Sequence, residues 1–316
     1  MATAQQWFSA SRPRTLPAAV APVLVGTGAG FALGGFSWLR GGLALIVSLA
    51  LQVGVNYSND YSDGIRGTDA DRVGPTRLVG SGLARPSSVK KAAFACFGIA
   101  GVAGLILAAL TSWWLLPVGV AAVAGLALAV AVSPWLLVVG AASFAAGWLY
   151  TGGPKPYGYA GFGEIFVFVF FGLVAVLGTT YVQAGRISLT ATAAAIGIGL
   201  LACALLMANN LRDVHTDEVS GKRTLAVLLG EPLSRRVFAL TVAGAYLAVA
   251  VIGIRHPWCL IALLSVPLAI PPVRQVLGGA RGPALVVVLG ATARVEIVYA
   301  VLLSFGLAAE VWFSTG

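Results

Sequence analysis

Charge is what this sequence has least of. Only 10% of its 316 residues are Asp, Glu, Lys or Arg, against about 25% in a soluble domain, which excludes an ordinary water-exposed surface. Histidine is rarer still, at two residues, and the three cysteines, Cys96, Cys203 and Cys259, stand far apart inside apolar runs. Such spacing excludes a zinc centre, which needs clustered ligands, and leaves the cysteines as small hydrophobes in helices. Glycine-rich phosphate loops and nucleophile elbows are also missing, so nothing points to a P-loop enzyme or a serine hydrolase. Residues 1–14 contain Pro13 and two arginines and lack the basic, apolar, small-residue order of a cleaved signal, so the first apolar run reads as a retained span.

What is present is hydrocarbon: 59% of residues are hydrophobic and the mean hydropathy is +0.92. The apolar runs are continuous rather than alternating, so helices, not strands, satisfy the backbone in lipid. Each is long enough to cross about 30 Å of hydrocarbon. Spans are expected at 15–35, 41–59, 164–183, 190–210, 236–254, 257–273 and 294–313, with a longer apolar block over 92–151. The expected fold is all-α, a polytopic membrane bundle of about nine helices in a single transmembrane domain covering 1–316.

The long block contains an echo. Gly98-Ile-Ala-Gly-Val-Ala-Gly-Leu-Ile-Leu-Ala returns 21 residues later as Gly119-Val-Ala-Ala-Val-Ala-Gly-Leu-Ala-Leu-Ala, which suits either a local duplication or two similar Ala/Gly-rich helices. Charge decides how many crossings the block makes. With two, and the N-terminus cytoplasmic, one side collects seventeen of the 20 Lys and Arg, leaving only Arg40, Arg186 and Arg255 on the other. With three the split becomes even. The positive-inside rule favours two. The net charge of +9 therefore belongs to loops facing anionic lipid, not to nucleic-acid binding.

The eleven acids are not scattered. Asp60, Asp63, Asp69 and Asp71 follow the second span, and Asp213, Asp217 and Glu218 follow the sixth. Both groups are thus expected in Asp-rich loops on the cytoplasmic side. Asn56 and Asp60 are four apart, as are Asp213 and Asp217, so each pair stacks on one face of a helix end. Carboxylates crowded this closely beside hydrocarbon need a positive partner. Mg²⁺ suits them, because it takes hard oxygen ligands and is commonly shared with substrate phosphates. Arg66, Arg72, Arg77, Arg212, Lys222 and Arg223 lie beside the acids and either pair with them or clamp phosphate oxygens. A pocket of this kind within a membrane suits a diphosphate head on a lipid tail. Elsewhere, Glu164 opens a span where the helix dipole favours an acid. Glu296, in the last span, either pairs with Arg294 or faces a cavity.

Several segments resemble those of the UbiA-type intramembrane aromatic prenyltransferases, and most nearly the branch acting on 1,4-dihydroxy-2-naphthoate. They are Asn56-x-x-Asn59-Asp60-x-x-Asp63-Gly64, Asn209-Asn210-Leu-Arg212-Asp213-x-x-x-Asp217, Gly221-Lys222-Arg223-Thr224-Leu225, Arg12-Pro13-Arg14-Thr15-Leu16-Pro17 and Tyr150-Thr-Gly-Gly-Pro-Lys155-Pro-Tyr157. The resemblance covers nearly the whole chain. It implies nine helices around a central cavity that opens sideways to lipid. It implies Mg²⁺ and diphosphate held by Asn56, Asp60, Asp213 and Asp217, with Asp63 assisting. It places Tyr150 and Lys155 at the reaction centre, and Asn59, Arg66, Arg77, Arg212, Lys222 and Arg223 around the diphosphate. The implied reaction joins a polyprenyl diphosphate to 1,4-dihydroxy-2-naphthoate with decarboxylation, giving demethylmenaquinone in the cell membrane, without an obligate protein partner. A different acceptor such as 4-hydroxybenzoate is the nearest alternative, and an ion-coupled transporter is the alternative from another class. The chain departs from the family pattern at Gly64, where many relatives carry a third Asp; Asp63, Asp69 or Asp71 is expected to stand in.

Overall fold

The computed structural model describes residues 2–67, 77–111 and 134–314. Every regular element among them is a helix, as lipid requires of a backbone that water cannot reach. They are α1 (Ala4–Ala10), α2 (Pro17–Ala32), α3 (Trp38–Arg66), α4 (Pro86–Thr111), α5 (Pro134–Leu149), α6 (Gly163–Ala184), α7 (Leu189–Val219), α8 (Leu225–Gly253), α9 (Pro257–Leu277) and α10 (Pro283–Ser314). Seven of these, α3, α4 and α6 to α10, are long and apolar enough to cross a membrane. The bent pair Ala4–Thr15 and Pro17–Ala32, broken by 51°, forms one more candidate span, and α5 is a shorter apolar helix. The chain is thus a multi-pass membrane protein. The long apolar block contributes α4 and α5; the second copy of its repeat falls in 112–133, outside the described residues, as do Asp69, Asp71 and Arg72.

The sequence reading is corrected at both acid motifs. They lie not in loops but on the final turns of two long helices, α3 and α7. Ser37 and Ser188 cap the starts of these helices by accepting amide hydrogen bonds from Arg40 and Ala191, the usual role of an N-cap serine. Neither helix meets a breaker before its acids, and α3 stops only where Gly67 takes φ 71°. Helices packed in lipid gain little from hydrophobic burial and associate through close contact of small residues. A Cβ added to Gly172 of α6 would lie 2.6 Å from Gly199 Cα of α7, and one added to Gly28 of α2 would lie 2.9 Å from Ser304 Cα of α10. α7 is the most enclosed of the membrane helices, with α2, α6, α8 and α10 packed against it.

Several charges outside the acid motifs are explained by closing helix ends. Arg40 donates to the carbonyls of Leu110 (2.7 Å) and Val182 (3.1 Å), satisfying the last turns of α4 and α6. At the opposite end Glu231 pairs with Arg235 (2.7 Å) and Arg281 (3.1 Å), while Arg235 also donates to the carbonyls of Val276 and Ala280. Glu296 does not pair with Arg294. It is fully buried and neither oxygen has a hydrogen-bond partner.

Candidate active site

A cavity of about 570 Å³ lies among α2, α3, α4, α5, α6 and α7. Its polarity follows the helices. Along α3 its wall passes from Asp63, Asn59, Asn56 and Gln52 to Leu51, Val47 and Ala44; along α7 it passes from Asp217 and Asn210 to Leu206 and Ala202. One end is therefore built for charge and the other for hydrocarbon.

The charged end is the C-terminal end of two helices, where the macrodipole is already negative. Carboxylates there work against helix stability, so the sequence must bring cations to them. Asp63 is the meeting point. Its carboxylate accepts from the Tyr159 hydroxyl (2.6 Å) and from Lys222 Nζ (3.2 Å), and Arg77 lies 3.7 Å away. Lys222 also sits 4.6 Å from the centroid of the Tyr159 ring, a cation–π contact. Because Lys222 follows α7 and Asp63 ends α3, this contact brings both motifs to one end of the bundle. Asp63, Asp217, Arg12, Arg77 and Lys222 all line the cavity.

Asp60 does something different. It is buried and accepts from the backbone amides of Leu78 (2.7 Å) and Val79 (3.0 Å), tying the segment after residue 76 down onto α3. Gly64 belongs to the same arrangement, since a Cβ there would lie 2.5 Å from the Val79 side chain. An aspartate at 64 would have no room. Gly64→Ala is expected to destabilise the protein by about 1–3 kcal/mol through overpacking. Thermal unfolding in detergent checks this, and an unchanged Tm would contradict the packing. Asp213 receives two hydrogen bonds from Arg212 (2.8 and 2.7 Å), and Arg212 also donates to Asn209 Oδ1 (2.9 Å).

Three cavity asparagines are each turned by a partner in the wall. Asn56 donates to the Ser11 carbonyl (2.8 Å) and to Thr15 Oγ1 (3.3 Å), leaving its oxygen for the cavity. Asn59 accepts from the Thr151 hydroxyl (2.8 Å), leaving its NH₂. Asn210 donates to Glu164 Oε1 (2.9 Å), leaving its oxygen. The N-terminal segment that orients Asn56 also sets Arg12 into the cavity wall. Arg12 has φ 55°, the one positive value among described non-glycine residues, a conformation that tends to be kept at functional sites.

Beyond the charged end the wall is aromatic. Tyr150 meets Tyr157 edge-on at 5.5 Å, Tyr157 stacks on Phe166 at 3.9 Å, and Phe166 stacks on Phe170 at 6.1 Å. A π-helical turn over Phe168–Val174 widens the α6 face that carries Phe166, Phe170 and Val174 to the cavity. Burial pushes the Tyr150 hydroxyl up from its ordinary pKa, and the nearby acids push it further, so the phenol stays neutral. Ring faces of this kind stabilise a passing cation.

Residues 118–282 match the UbiA prenyltransferase family. Over 308 residues the chain is 48% identical to the 1,4-dihydroxy-2-naphthoate octaprenyltransferase of Mycobacterium tuberculosis (strain ATCC 25618 / H37Rv), covering 98% of each chain. The chain belongs to the UbiA prenyltransferase family. This prenyltransferase is also 35% identical over 277 residues to the protein of the same name from Escherichia coli (strain K12), spanning 86% of this chain and 85% of the relative. Its fold is that of a UbiA homolog from Archaeoglobus fulgidus bound to GPP and Mg²⁺, with a TM-score of 0.61 at 15% identity over 96% of this chain and 99% of that one.

The prenyltransferase sorts its expected site residues into two sets. Asn56, Asn59, Asp63, Arg77, Tyr150, Asp217 and Lys222 line the cavity; Asp60, Arg66, Lys155, Arg212, Asp213 and Arg223 do not. Arg66 donates to the carbonyls of Thr151 and Gly153 and fastens the 150s segment. Lys155 and Arg223 are exposed. Lys155→Ala is therefore expected to keep turnover within about twofold, as for surface changes generally; a tenfold loss in a prenyl-transfer assay would return Lys155 to the reaction centre. Arg12, Tyr157, Phe166, Asn210 and Glu164 are not among the site residues expected from the sequence. Arg12, Tyr157 and Asn210 stood inside quoted motifs, whereas Phe166 lay in an apolar run and carried no signal.

Proposed function

We propose that the protein transfers a prenyl group from a prenyl diphosphate to 1,4-dihydroxy-2-naphthoate. The ring carboxyl leaves as CO₂, and the product is demethylmenaquinone in its reduced, quinol form. The observation that carries this reading is the cavity's gradient from a cation-and-carboxylate end through an aromatic wall to hydrocarbon. Near full-length identity to relatives named for the naphthoate reaction supports the acceptor.

The donor set at the charged end fits Mg²⁺. It consists of oxygens only, from Asp63 and Asp217, in the last turns of two helices where the macrodipole is negative. Among the described residues no cluster of three or more His, Cys, Asp or Glu is close enough to hold a metal alone. That incomplete set suits a cation that completes its shell with substrate phosphate and water. Bound there, Mg²⁺ supplies charge stabilisation to the departing diphosphate. Arg12, Arg77 and Lys222 bind the remaining phosphate oxygens, and the Asn59 NH₂ donates to one more. The allylic C–O bond breaks, its electron pair leaves with diphosphate, and the Tyr150, Tyr157 and Phe166 rings face the resulting cation. The apolar wall excludes water until the electron-rich naphthoate ring forms the new C–C bond. The charged end faces the cytoplasm of a cell membrane, in keeping with the placement of Lys and Arg.

The test is purified protein with Mg²⁺, a radiolabelled prenyl diphosphate and a panel of aromatic acids. Product with dihydroxynaphthoate is expected, with release of one CO₂ per transfer. Product only with 4-hydroxybenzoate would replace the acceptor, and no product with any acceptor would refute the reading.

A further inference from the structure

Glu164 is an acid that a membrane bundle has little reason to bury. It is 7% exposed, in the first turn of α6, with Oε2 lacking any hydrogen-bond partner. Oε1 accepts from Asn210 Nδ2 at 2.9 Å, and the Cys203 thiol donates to the Glu164 carbonyl at 3.2 Å. Desolvating a carboxylate for one side-chain hydrogen bond costs more than a helix N-terminus returns. That cost points to what the acid does to Asn210.

Glu164 Oε1 is the acceptor of the Asn210 NH₂. Glu164 therefore holds the Asn210 amide with its NH₂ toward the wall, and the Asn210 oxygen is left for the cavity that the residue lines. Asn210 lies seven residues before Asp217 on α7, about 10 Å along the helix axis from the charged end. It shares this depth with Tyr150, because a Cβ built on Gly163 would lie 3.5 Å from the Tyr150 hydroxyl and 3.3 Å from the Leu206 side chain. On the reading above, a diphosphate held at the charged end leaves this depth to the reacting ring.

We infer that Glu164 is a positioning residue that fixes the Asn210 amide oxygen to accept a hydrogen bond from a ring hydroxyl of the aromatic acceptor. The inference rests on the aromatic-prenyltransferase reading above. The bond orients the ring, and as the hydroxyl donates, electron density moves into the ring carbons that attack the allylic cation. The acid itself touches neither substrate.

The test uses the full-length protein in detergent with Mg²⁺, a prenyl diphosphate and dihydroxynaphthoate, comparing Glu164→Leu, Glu164→Gln, Asn210→Leu and the double Leu variant. Glu164→Leu is expected to raise the acceptor KM about tenfold, leave the prenyl diphosphate KM unchanged and not lower Tm. Glu164→Gln keeps an oxygen for Asn210 and is expected to restore the acceptor KM to within about threefold of wild type. On the Asn210→Leu background, Glu164→Leu is expected to add nothing, since the two act as one unit. Equal rises in both KM values, a Tm that falls with activity, or full additivity of the two Leu changes would overturn the inference. A wild type that transfers to no aromatic acceptor would overturn the underlying reading with it, whereas a working wild type with an unaltered Glu164→Leu acceptor KM would overturn the inference alone.

Discussion

Asp217→Asn is expected to lower kcat on the order of 10²–10³-fold, the usual cost of losing one fixed electrostatic group at a reacting centre. The side chain ends α7 at the cavity wall, and the substitution keeps its shape while removing its charge. Removing a negative charge from a helix C-terminus relieves the macrodipole. That relief offsets the charge lost to the cations lining the same end, so Tm is expected to change little while turnover collapses. Steady-state kinetics alongside thermal unfolding check both halves. A fall in Tm that matches the loss of activity would make Asp217 a structural acid.

Asp60→Asn is expected to fail in the opposite way. Asp60 holds two backbone amides, Leu78 and Val79, and an asparagine offers one oxygen and one NH₂ in their place. One charge-assisted bond is lost and a donor is set against a donor, at a cost of about 2–4 kcal/mol. The segment that carries Arg77 to Asp63 then loosens, so stability and turnover fall together. Asp60→Asn at wild-type Tm with turnover abolished would instead give Asp60 a direct part at the metal or the diphosphate.

The contrast between these two aspartates marks how far the sequence could be read. Few acids, seven of the eleven gathered in two short segments, were enough to locate the site, because a membrane bundle tolerates such crowding only for function. Spacing also contained more than a pair of neighbours. On a helical wheel Gln52, Asn56, Asn59 and Asp63 share one face, while Asp60 falls at its edge. What turns an edge residue inward or outward is tertiary packing, here the Val79 contact that only Gly64 permits. The same limit applied to cations. Arg77 and Arg66 both stand beside the first motif, yet one reaches the cavity and the other closes carbonyls of the 150s segment. The aromatic wall was hidden for a different reason. Phe166 and Phe170 read as membrane hydrophobes in the sequence, and only the packing of α6 places both on the cavity wall.

The central claim is that Asp63 and Asp217, with Arg12, Arg77 and Lys222, make one metal-dependent diphosphate site. Equilibrium binding of a radiolabelled, non-ionising prenyl thiolodiphosphate to purified protein, with Mg²⁺ or with EDTA, tests it without requiring turnover. The wild type is expected to bind at least about tenfold more tightly with Mg²⁺ (about 1.4 kcal/mol), and Asp217→Asn to lose that difference. Equal binding in Mg²⁺ and EDTA, or an Asp217→Asn protein that keeps the full Mg²⁺ effect, would contradict it.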